Sequence, residues 1–302
     1  MYDLIGDIHG YASELKAPLA KMDYQVVDSI WHQPERKVIF LGDFVDRGPE
    51  QIETVHIART MVEGGNALAV MGNHEYNAVA WATPDPQNPE QYLRRRTDKN
   101  WNQHKAFLEQ VGEGSELHNS MIEWFKTLPV YLDLPELRAV HACWHPKYVS
   151  MIDQFTDDDN RLLAHASEAS GRKGSEAYDS IEHLLKGLEF ALPDGRHFFY
   201  KTRDASENKE KRTEVRAKWW LTDCFTPREL AIVPDSEIEK IPHDLVDKTH
   251  LTSFDSEKPV FVGHYWLRGE PAPLTEHIAC LDYSVAGGEG GKLCGYWFGG
   301  RA

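Results

Sequence analysis

The sequence predicts an α/β fold, because short apolar runs typical of buried strands alternate with helical patterns in the first part of the chain. The composition is that of an ordinary globular protein, with 41% hydrophobic and 27% charged residues among 302. Each apolar run also ends in a polar cluster that contains Asp, Asn or His. Ligands bind at the carboxyl ends of strands in layered α/β proteins, so these clusters predict one shared site.

The predicted strands are rich in Val, Ile and Phe, as buried strands are. They cover Tyr2–Ile5, Val38–Leu41, Leu68–Met71, Arg138–Val140 and Val260–Val262, and a last strand is expected over residues 292–298. Helices are predicted over residues 11–23 and 49–63. The second begins with Pro49 and Glu50, which suit a first helical turn, and it ends before Gly64 and Gly65.

We predict one domain over residues 1–302, with two long insertions at about 81–129 and 146–258. The first insertion opens with three prolines between Thr83 and Pro89, which predicts irregular structure there. Helices are expected near residues 99–111 and 115–127 in the first insertion, and near 158–170 and 178–188 in the second. Both insertions are therefore expected to be mainly helical.

The charge balance of 33 Lys and Arg against 48 Asp and Glu, net −15, argues against bulk nucleic-acid binding, because phosphate backbones repel an acidic surface. No apolar run approaches the roughly 18 residues that a membrane helix needs. Cys143, Cys224, Cys280 and Cys294 are far apart, which argues against a disulfide framework. The first polar cluster already begins at Gly6, which leaves no room for a signal peptide before it. We therefore expect a cytoplasmic protein without membrane contact.

The first and third polar clusters offer metal ligands. Asp7 and His9, two residues apart at a strand end, point to the same side, and this donor pair suits a divalent ion such as Mn, Fe or Zn. Asn73 can offer an amide oxygen, which leaves His74 available for proton transfer. Read alone, each cluster also allows a structural interpretation, such as a turn aspartate or the first turn of a helix.

The second cluster is Gly42-Asp43-Phe44-Val45-Asp46-Arg47-Gly48. Asp43 would be a further metal ligand, and Asp46 and Arg47 lie one turn later, where they could support the site. Read alone, this cluster could equally be a surface loop with an internal Asp–Arg pair.

Together the three clusters resemble the signature of the calcineurin-like metallophosphoesterases, with Gly-Asp-x-His-Gly, Gly-Asp-x-Val-Asp-Arg-Gly and Gly-Asn-His-Glu in order. The Val-Asp-Arg-Gly form looks like the phosphoprotein phosphatase branch, which includes Ser/Thr protein phosphatases and bacterial symmetric dinucleoside tetraphosphatases. The resemblance covers about residues 3–80, 137–145 and 258–298. It implies a four-layer α/β/β/α sandwich, with the two insertions outside the family frame.

The resemblance also implies a ligand set for two divalent transition-metal ions (Mn, Fe or Zn, with Mn favoured). His141 and His264 match the family's remaining two histidines, although Cys143 stands where the family usually has glycine, and Trp266 stands where nuclease-like branches carry a further histidine. The implied ligands are Asp7 and His9 for one metal, Asn73, His141 and His264 for the other, and Asp43 as the bridge.

The family's chemistry implies a water activated between two metals that attacks phosphorus, while His74 protonates the leaving oxygen and Asp46 orients His74. Arg47 would clamp phosphate oxygens with its planar donor pair. A second phosphate-binding arginine is expected between the last two histidines. Arg203, Arg212 and Arg216 are the candidates, and Arg216 is favoured because residues 213–220 loosely resemble the tetraphosphatases.

The implied enzyme is a phosphohydrolase, most readily of the Ser/Thr protein phosphatase type, acting on a phosphorylated protein in an open groove. The alternative is a symmetric dinucleoside tetraphosphate hydrolase, whose ending the stretch Cys280–Gly288 resembles. A non-catalytic binding module fits less well, because all nine site residues are present. The basic run 94–96 could be a lip for a phosphorylated substrate or a solvated helix face. Trp101, Trp219 and Trp220 are expected to pack rather than to stack on a base.

Overall fold

The computed structural model describes residues 1–192, 195–201, 209–223, 226–244 and 257–299. The helices are α1 (Ala12–Lys21), α2 (Gln51–Glu63), α3 (Asn73–Ala82), α4 (Asp98–Val111), α5 (Glu116–Phe125), α6 (Pro146–Ile152), α7 (Ala164–Ser170), α8 (Glu176–Lys186) and α9 (Pro227–Leu230). No helix within these ranges is both long enough and apolar enough to cross a bilayer.

The strands alternate with these helices. They are β1 (Tyr2–Ile5), β2 (Gln25–Val27), β3 (Ile30–His32), β4 (Lys37–Phe40), β5 (Ala67–Ala69), β6 (Pro84–Asp85), β7 (Asn88–Tyr92), β8 (Tyr131–Asp133), β9 (Arg138–Val140), β10 (Glu189–Ala191), β11 (Phe198–Lys201), β12 (Lys209–Arg212), β13 (Glu214–Ala217), β14 (Ala231–Ile232), β15 (Val260–Val262), β16 (Ile278–Cys280), β17 (Asp282–Tyr283), β18 (Lys292–Leu293) and β19 (Gly295–Phe298).

Two four-stranded sheets form the frame that positions the site. The first has the order β19-β1-β4-β5, with β1, β4 and β5 parallel and β19 antiparallel at the edge. The second has the order β16-β15-β9-β8, with β16, β15 and β9 parallel. Within each sheet the parallel strands therefore end at a common edge.

Alternate side chains along these strands build two separate cores, as the two-residue period of a strand requires. Leu4 and Ile39 of the first sheet meet Ala139 and Phe261 of the second in a cluster between the sheets. Their strand neighbours point the other way, and Ile5 joins the core formed with the helices. Helices thus cover the outer face of each sheet, which confirms the predicted α/β/β/α arrangement.

The first insertion is mainly helical through α4 and α5, but its proline-rich start is a hairpin of β6 and β7. The prediction of irregular structure there was wrong. Pro84 pairs with Tyr92 and Asp85 with Asn88. An isolated hairpin leaves the outer N–H of each strand unused, and prolines can occupy such positions.

The second insertion is helical only in its first part, from α6 to α8, and it continues as small antiparallel sheets of β10 to β14. The helix predicted over 158–170 begins only at α7. Asp157 accepts the N–H groups of Asp159 and Arg161 with its side chain, and this local turn replaces the first helical turns.

The predicted last strand is in fact two strands. β18 pairs with β17, whereas β19 pairs with β1 in the first sheet.

Candidate active site

The nine predicted site side chains come from the loops after five different strands. Asp7 and His9 follow β1, Asp43, Asp46 and Arg47 follow β4, Asn73 and His74 begin α3 after β5, His141 follows β9, and His264 follows β15. Eight of them are buried, with exposed fractions of 0% to 9%, and Arg47 is exposed. The structure therefore brings all nine to one place.

Asp43 lies at the centre of the cluster. Its Oδ2 is 3.3 Å from Nε2 of His141, 3.7 Å from Nε2 of His9 and 3.8 Å from Nε2 of His74. A carboxylate with imidazoles on two sides could share its oxygens between two ions, which is the bridging role that the family resemblance implies for Asp43.

Asn73 connects the two histidines of the second sheet. Its Oδ1 lies 3.1 Å from Nε2 of His141 and 2.8 Å from Nδ1 of His264. On the other side, Asp7 accepts the backbone N–H of His264 at 3.0 Å. The six predicted ligands thus form one continuous set of oxygen and nitrogen donors.

The backbone at five of the nine site residues is held in the left-handed region, which non-glycine residues rarely adopt. The φ angles are 50° at His9, 53° at Asp43, 71° at Asp46, 74° at Arg47 and 73° at His264. Such conformations persist where the surrounding structure determines them, and they cluster at functional sites. Four of these five side chains are buried in the cluster, and that of Arg47 is exposed.

Two motif glycines permit close approach of the loops. A Cβ on Gly263 would lie 2.0 Å from Oδ1 of Asp7, and one on Gly72 would lie 2.3 Å from Asp43. Only glycine leaves room for a carboxylate at these distances.

Glu75 anchors the Asp43 loop. Its Oε2 accepts the N–H of Asp43 at 2.8 Å and of Gly72 at 3.1 Å, and its Oε1 accepts those of Phe44 at 2.8 Å and Val45 at 3.3 Å. Burial and the charge of Asp43 raise the pKa of Glu75 to about 8, against the opposing effect of these N–H donors. One buried carboxyl group therefore shapes the loop that carries the central ligand.

Hydrogen bonds orient His9 and His141 for metal binding. Nδ1–H of His9 donates to the Val45 carbonyl at 3.1 Å, and Nδ1–H of His141 donates to the Leu41 carbonyl at 2.7 Å, so each directs Nε2 into the cluster. The buried Nε2 of His9 has no hydrogen-bond partner among the described residues. Burial lowers the pKa of His9 to about 3, which keeps its ring neutral as a metal ligand must be.

The close spacing of buried carboxylates also indicates a cation site. Burial, followed by the charges of Asp282 and Asp43, raises the pKa of Asp7 well above its usual range. Bound divalent ions would supply the missing positive charge and favour the ionised ligands. The orphaned ring nitrogen, the crowded carboxylates and the mixed imidazole, carboxylate and amide donors all fit a pair of transition-metal ions. His9, Asp43 and His74 form one group of converging ligand atoms, and Asp43, His141 and His264 form another.

His74 and Asp46 form a buried pair beside the ligands. Nδ1 of His74 is 2.5 Å from Oδ2 of Asp46, which directs Nε2 of His74 toward the cluster centre. The other oxygen of Asp46 accepts from Nδ1 of His104 at 2.7 Å. Burial alone would raise the pKa of Asp46, but His104 and His74 hold it well below its usual range, so the group is a carboxylate.

Arg47 is exposed at the mouth of the site, where a phosphate could reach it. Its guanidinium lies 4.3 Å from the ring centroid of Trp266, and that ring lies 5.6 Å from the ring of His9. The tryptophan thus supports the arginine by a cation–π contact next to a metal ligand.

Arg216 on β13 lies near the predicted ligand His264. Its guanidinium carbon is 5.9 Å from the ring centroid of Tyr265, and its charge helps burial to lower the pKa of His264. Its Nε is 3.9 Å from Glu189 Oε1, the carboxylate that Arg212 also contacts at 3.8 Å. Arg203, the third candidate from the sequence, lies outside the described residues.

In the basic run 94–96, Arg95 is exposed, whereas Arg94 and Arg96 have partners within the protein. Arg94 donates to Gln103, and Arg96 lies over the ring of Tyr92 and pairs with Glu113.

The predicted packing role holds best for Trp219, which is 1% exposed and donates its Nε1–H to the Ala142 carbonyl. Trp220 is also buried, while Trp101 is partly exposed next to Trp81.

Three supporting residues were not identified from the sequence. Asp282 accepts the N–H groups of Trp266 and Ser284, and it follows an apolar run, so the strand-end signal could have found it. Glu75 is the last residue of the third motif, and a glutamate there also fits the first turn of a helix, so the motif alone does not show that it anchors the Asp43 loop. His104 lies within a helix of the first insertion and carries no local signal.

Comparison with known proteins places these residues in a family context. The calcineurin-like phosphoesterase family profile matches residues 2–192. An asymmetrical bis(5'-nucleosyl)-tetraphosphatase PrpE from Oceanobacillus iheyensis is 26% identical over 141 residues, covering 46% of this chain and 54% of that protein. The chain thus spans about half the length of this relative. A symmetrical bis(5'-nucleosyl)-tetraphosphatase from Aromatoleum aromaticum is 26% identical over 290 residues, covering 92% of this chain and 88% of its own. The solved structure of a cold-active protein-tyrosine phosphatase from a psychrophilic Shewanella aligns over 97% of this chain and 74% of its own, with 16% identity and a TM-score of 0.49.

Proposed function

The chain belongs to the calcineurin-like phosphoesterase family, a family of metal-dependent hydrolases, and we propose that it hydrolyses phosphate esters or anhydrides with two divalent metal ions at the site described above. The observation that carries this proposal is the convergence of the other five ligand residues around Asp43, next to the His74–Asp46 pair. A non-catalytic binding module would not need the buried acid pair.

The ligands that would hold the metals are Asp7 and His9 on one side, Asn73, His141 and His264 on the other, and Asp43 between them. Two ions bound there would supply Lewis acidity and activate a water near neutral pH. Mn is the metal to test first.

The protein's own side chains would bind the phosphate and move the proton. Arg47 would hold phosphate oxygens at the mouth of the site through its planar donors. His74 would donate the proton on Nε2 to the departing oxygen, while Asp46 holds Nδ1 and stabilises the charged ring. Arg216 is the proposed second phosphate contact, because it lies beside His264.

A bis(5'-nucleosyl) tetraphosphate is the substrate that we propose first. Relatives of the symmetrical type match 84% and 92% of this chain and 94% and 88% of their own length, so their resemblance extends over both insertions. Two arginines, Arg47 beside Trp266 and Arg216 beside Tyr265, would also offer planar donors to more than one phosphate group of such a substrate.

A phosphorylated protein is the second candidate, and the motifs alone favoured it. The observation in its favour is the exposure of Arg47, which a phosphorylated side chain on an extended segment could reach without entering a closed pocket.

The deciding experiment compares diadenosine tetraphosphate, a phosphoserine peptide and p-nitrophenyl phosphate with the Mn²⁺-loaded protein. Two ADP as products would support symmetric tetraphosphate hydrolysis, whereas ATP and AMP would indicate asymmetric cleavage. A preference for the peptide would support a phosphorylated protein as the substrate. Metal-loaded protein that turns over none of the three would argue against the enzyme and for a binding module.

A further inference from the structure

A second buried histidine, which belongs to none of the three motifs, touches the proposed acid pair. His104 is 1% exposed, and its Nδ1 lies 2.7 Å from Oδ1 of Asp46. The other oxygen of Asp46 contacts Nδ1 of His74 at 2.5 Å. The three side chains therefore form a chain in which one carboxylate is held by an imidazole at each oxygen.

His104 comes from the first insertion, at residues 81–129. It lies on α4, and its ring packs against Phe107 at 5.1 Å and Trp81 at 6.0 Å. The insertion thus contributes a side chain to the interior of the site, in addition to any effect on the shape of the entrance.

The hydrogen bonds of His104 define its role in this chain. Its Nε2 is buried and has no hydrogen-bond partner among the described residues. The ring proton therefore lies on Nδ1, where it is donated to Asp46, because an ionised carboxylate can only accept hydrogen bonds. Packing alone would favour an apolar residue here, because an unpaired buried polar atom is unfavourable.

We propose that His104 is a positioning residue whose Nδ1–H holds the Asp46 carboxylate in the orientation that directs His74 at the leaving oxygen. The inference rests on the proposed hydrolytic function. A carboxylate with one partner can rotate about its Cβ–Cγ bond, whereas donors on both oxygens restrict that rotation. With Asp46 held, the ring of His74 keeps Nε2 aimed into the site.

The negative charge of Asp46 agrees with this arrangement. After burial, which acts in the opposite direction, His104 is the largest single influence on the pKa of Asp46, and it lowers that pKa. A well-ionised Asp46 accepts a proton less readily, so the proton to be donated remains on the side of His74.

The test replaces His104 in the metal-loaded protein and compares two aryl phosphates. Phenyl phosphate has a poor leaving group that needs protonation, and p-nitrophenyl phosphate has one that does not. We expect His104→Phe to lower kcat for phenyl phosphate roughly 10- to 100-fold, the usual loss for a partner behind a functional side chain. For p-nitrophenyl phosphate we expect a loss within about threefold, and KM should hardly change for either substrate.

Two amide variants separate the hydrogen bond from packing. Asparagine places an amide N–H near the position of Nδ1, whereas glutamine places it near Nε2. His104→Asn should therefore recover most of the activity on phenyl phosphate, and His104→Gln should not. This pair also decides the question if His104→Phe does not fold.

The matched control is His118→Phe. His118 is also buried in the first insertion, and its ring packs on the same Phe107 at 5.8 Å, but its Nδ1 accepts from the Gly114 N–H. Its replacement should leave the ratio of the two aryl phosphate rates unchanged. Melting temperature and metal content are measured for every variant.

Equal losses on both substrates, equal behaviour of the Asn and Gln variants, or the same change in His118→Phe would overturn the positioning role while leaving the hydrolase intact. A wild-type protein that binds metal but hydrolyses neither aryl phosphate would overturn the proposed function, and the positioning role with it.

Discussion

Replacing Glu75 by glutamine tests whether one buried carboxylate shapes the site. Glu75 is fully buried, and its two oxygens accept four backbone N–H groups from the Asp43 loop and from Gly72. Glutamine has nearly the same shape, but one of its two terminal groups is a donor. That group would face two N–H donors and could pair with neither.

The magnitude follows from the bonds that are lost. Whichever oxygen becomes the NH₂ group, one bond of 2.8 Å and one longer bond disappear. A net value of about 1.5–3 kcal/mol for a hydrogen bond to a charged group gives a loss of roughly 3–6 kcal/mol for the pair. At an unfolding entropy of about 2.1 cal/mol/K per residue, this loss in a chain of 302 residues lowers the melting temperature by about 5–9 °C for cooperative unfolding.

The assay is calorimetry of the metal-loaded protein, together with metal content and turnover of p-nitrophenyl phosphate. Metal content should fall along with stability, because the displaced loop carries Asp43. Glu229→Gln is the matched control, since Glu229 also caps a helix by accepting the N–H of Thr226 at 2.9 Å but is exposed. It should cost about 1 kcal/mol or less.

An unchanged melting temperature and metal content in Glu75→Gln would refute this reasoning. Burial and Asp43 raise the pKa of Glu75 to about 8, so a protonated Glu75 is the competing picture, and glutamine would imitate it well. We expect the carboxylate instead, because four N–H donors face it and bound cations beside Asp43 would lower its pKa again.

Three further substitutions test the proposed roles. Asp43→Asn should remove the carboxylate that is proposed to bridge the two metals. Metal content and turnover should fall by more than the roughly 10- to 100-fold typical of residues that hydrogen-bond to metal ligands. Metal content and turnover at the wild-type level would contradict the assignment. His74→Ala should lower kcat by about 10²–10⁴ on phenyl phosphate and far less on p-nitrophenyl phosphate, and equal losses in a leaving-group series would argue against an acid at this position. The Arg47→Ala variant should keep its metals but be inhibited about 10- to 100-fold less strongly by inorganic phosphate. This is the effect expected for losing a charge-assisted hydrogen bond of about 1.5–3 kcal/mol. An unchanged inhibition constant in a phosphate titration would exclude the contact.

The strands that carry the ligands were predictable because their signals are local. Tyr2–Ile5, Arg138–Val140 and Val260–Val262 have the predicted bounds, and each apolar run is short and ends in a polar cluster. A buried strand in a parallel sheet is apolar on both faces, so its sequence marks it without knowledge of its neighbours.

Predictions were wrong where a local hydrogen bond or a distant partner competes with composition. The prolines after Thr83 fit a hairpin edge, and Asp157 replaces the first turns of a predicted helix with a side-chain turn. The run 292–298 divides because its two halves find different partner strands. Composition and periodicity contain none of these pairings.

The motifs were enough to predict the family, the α/β/β/α frame and the candidate ligands, because motif residues at strand ends retain their spacing whatever surrounds them. Other contacts became visible only in the folded chain: Asn73 meets His264 across 191 positions, Glu75 holds the Asp43 loop, and His104 reaches Asp46 from an insertion 58 positions away. Contacts of this kind depend on how two sheets and an insertion pack together. Packing is a property of the folded chain as a whole, and no short stretch of sequence specifies it.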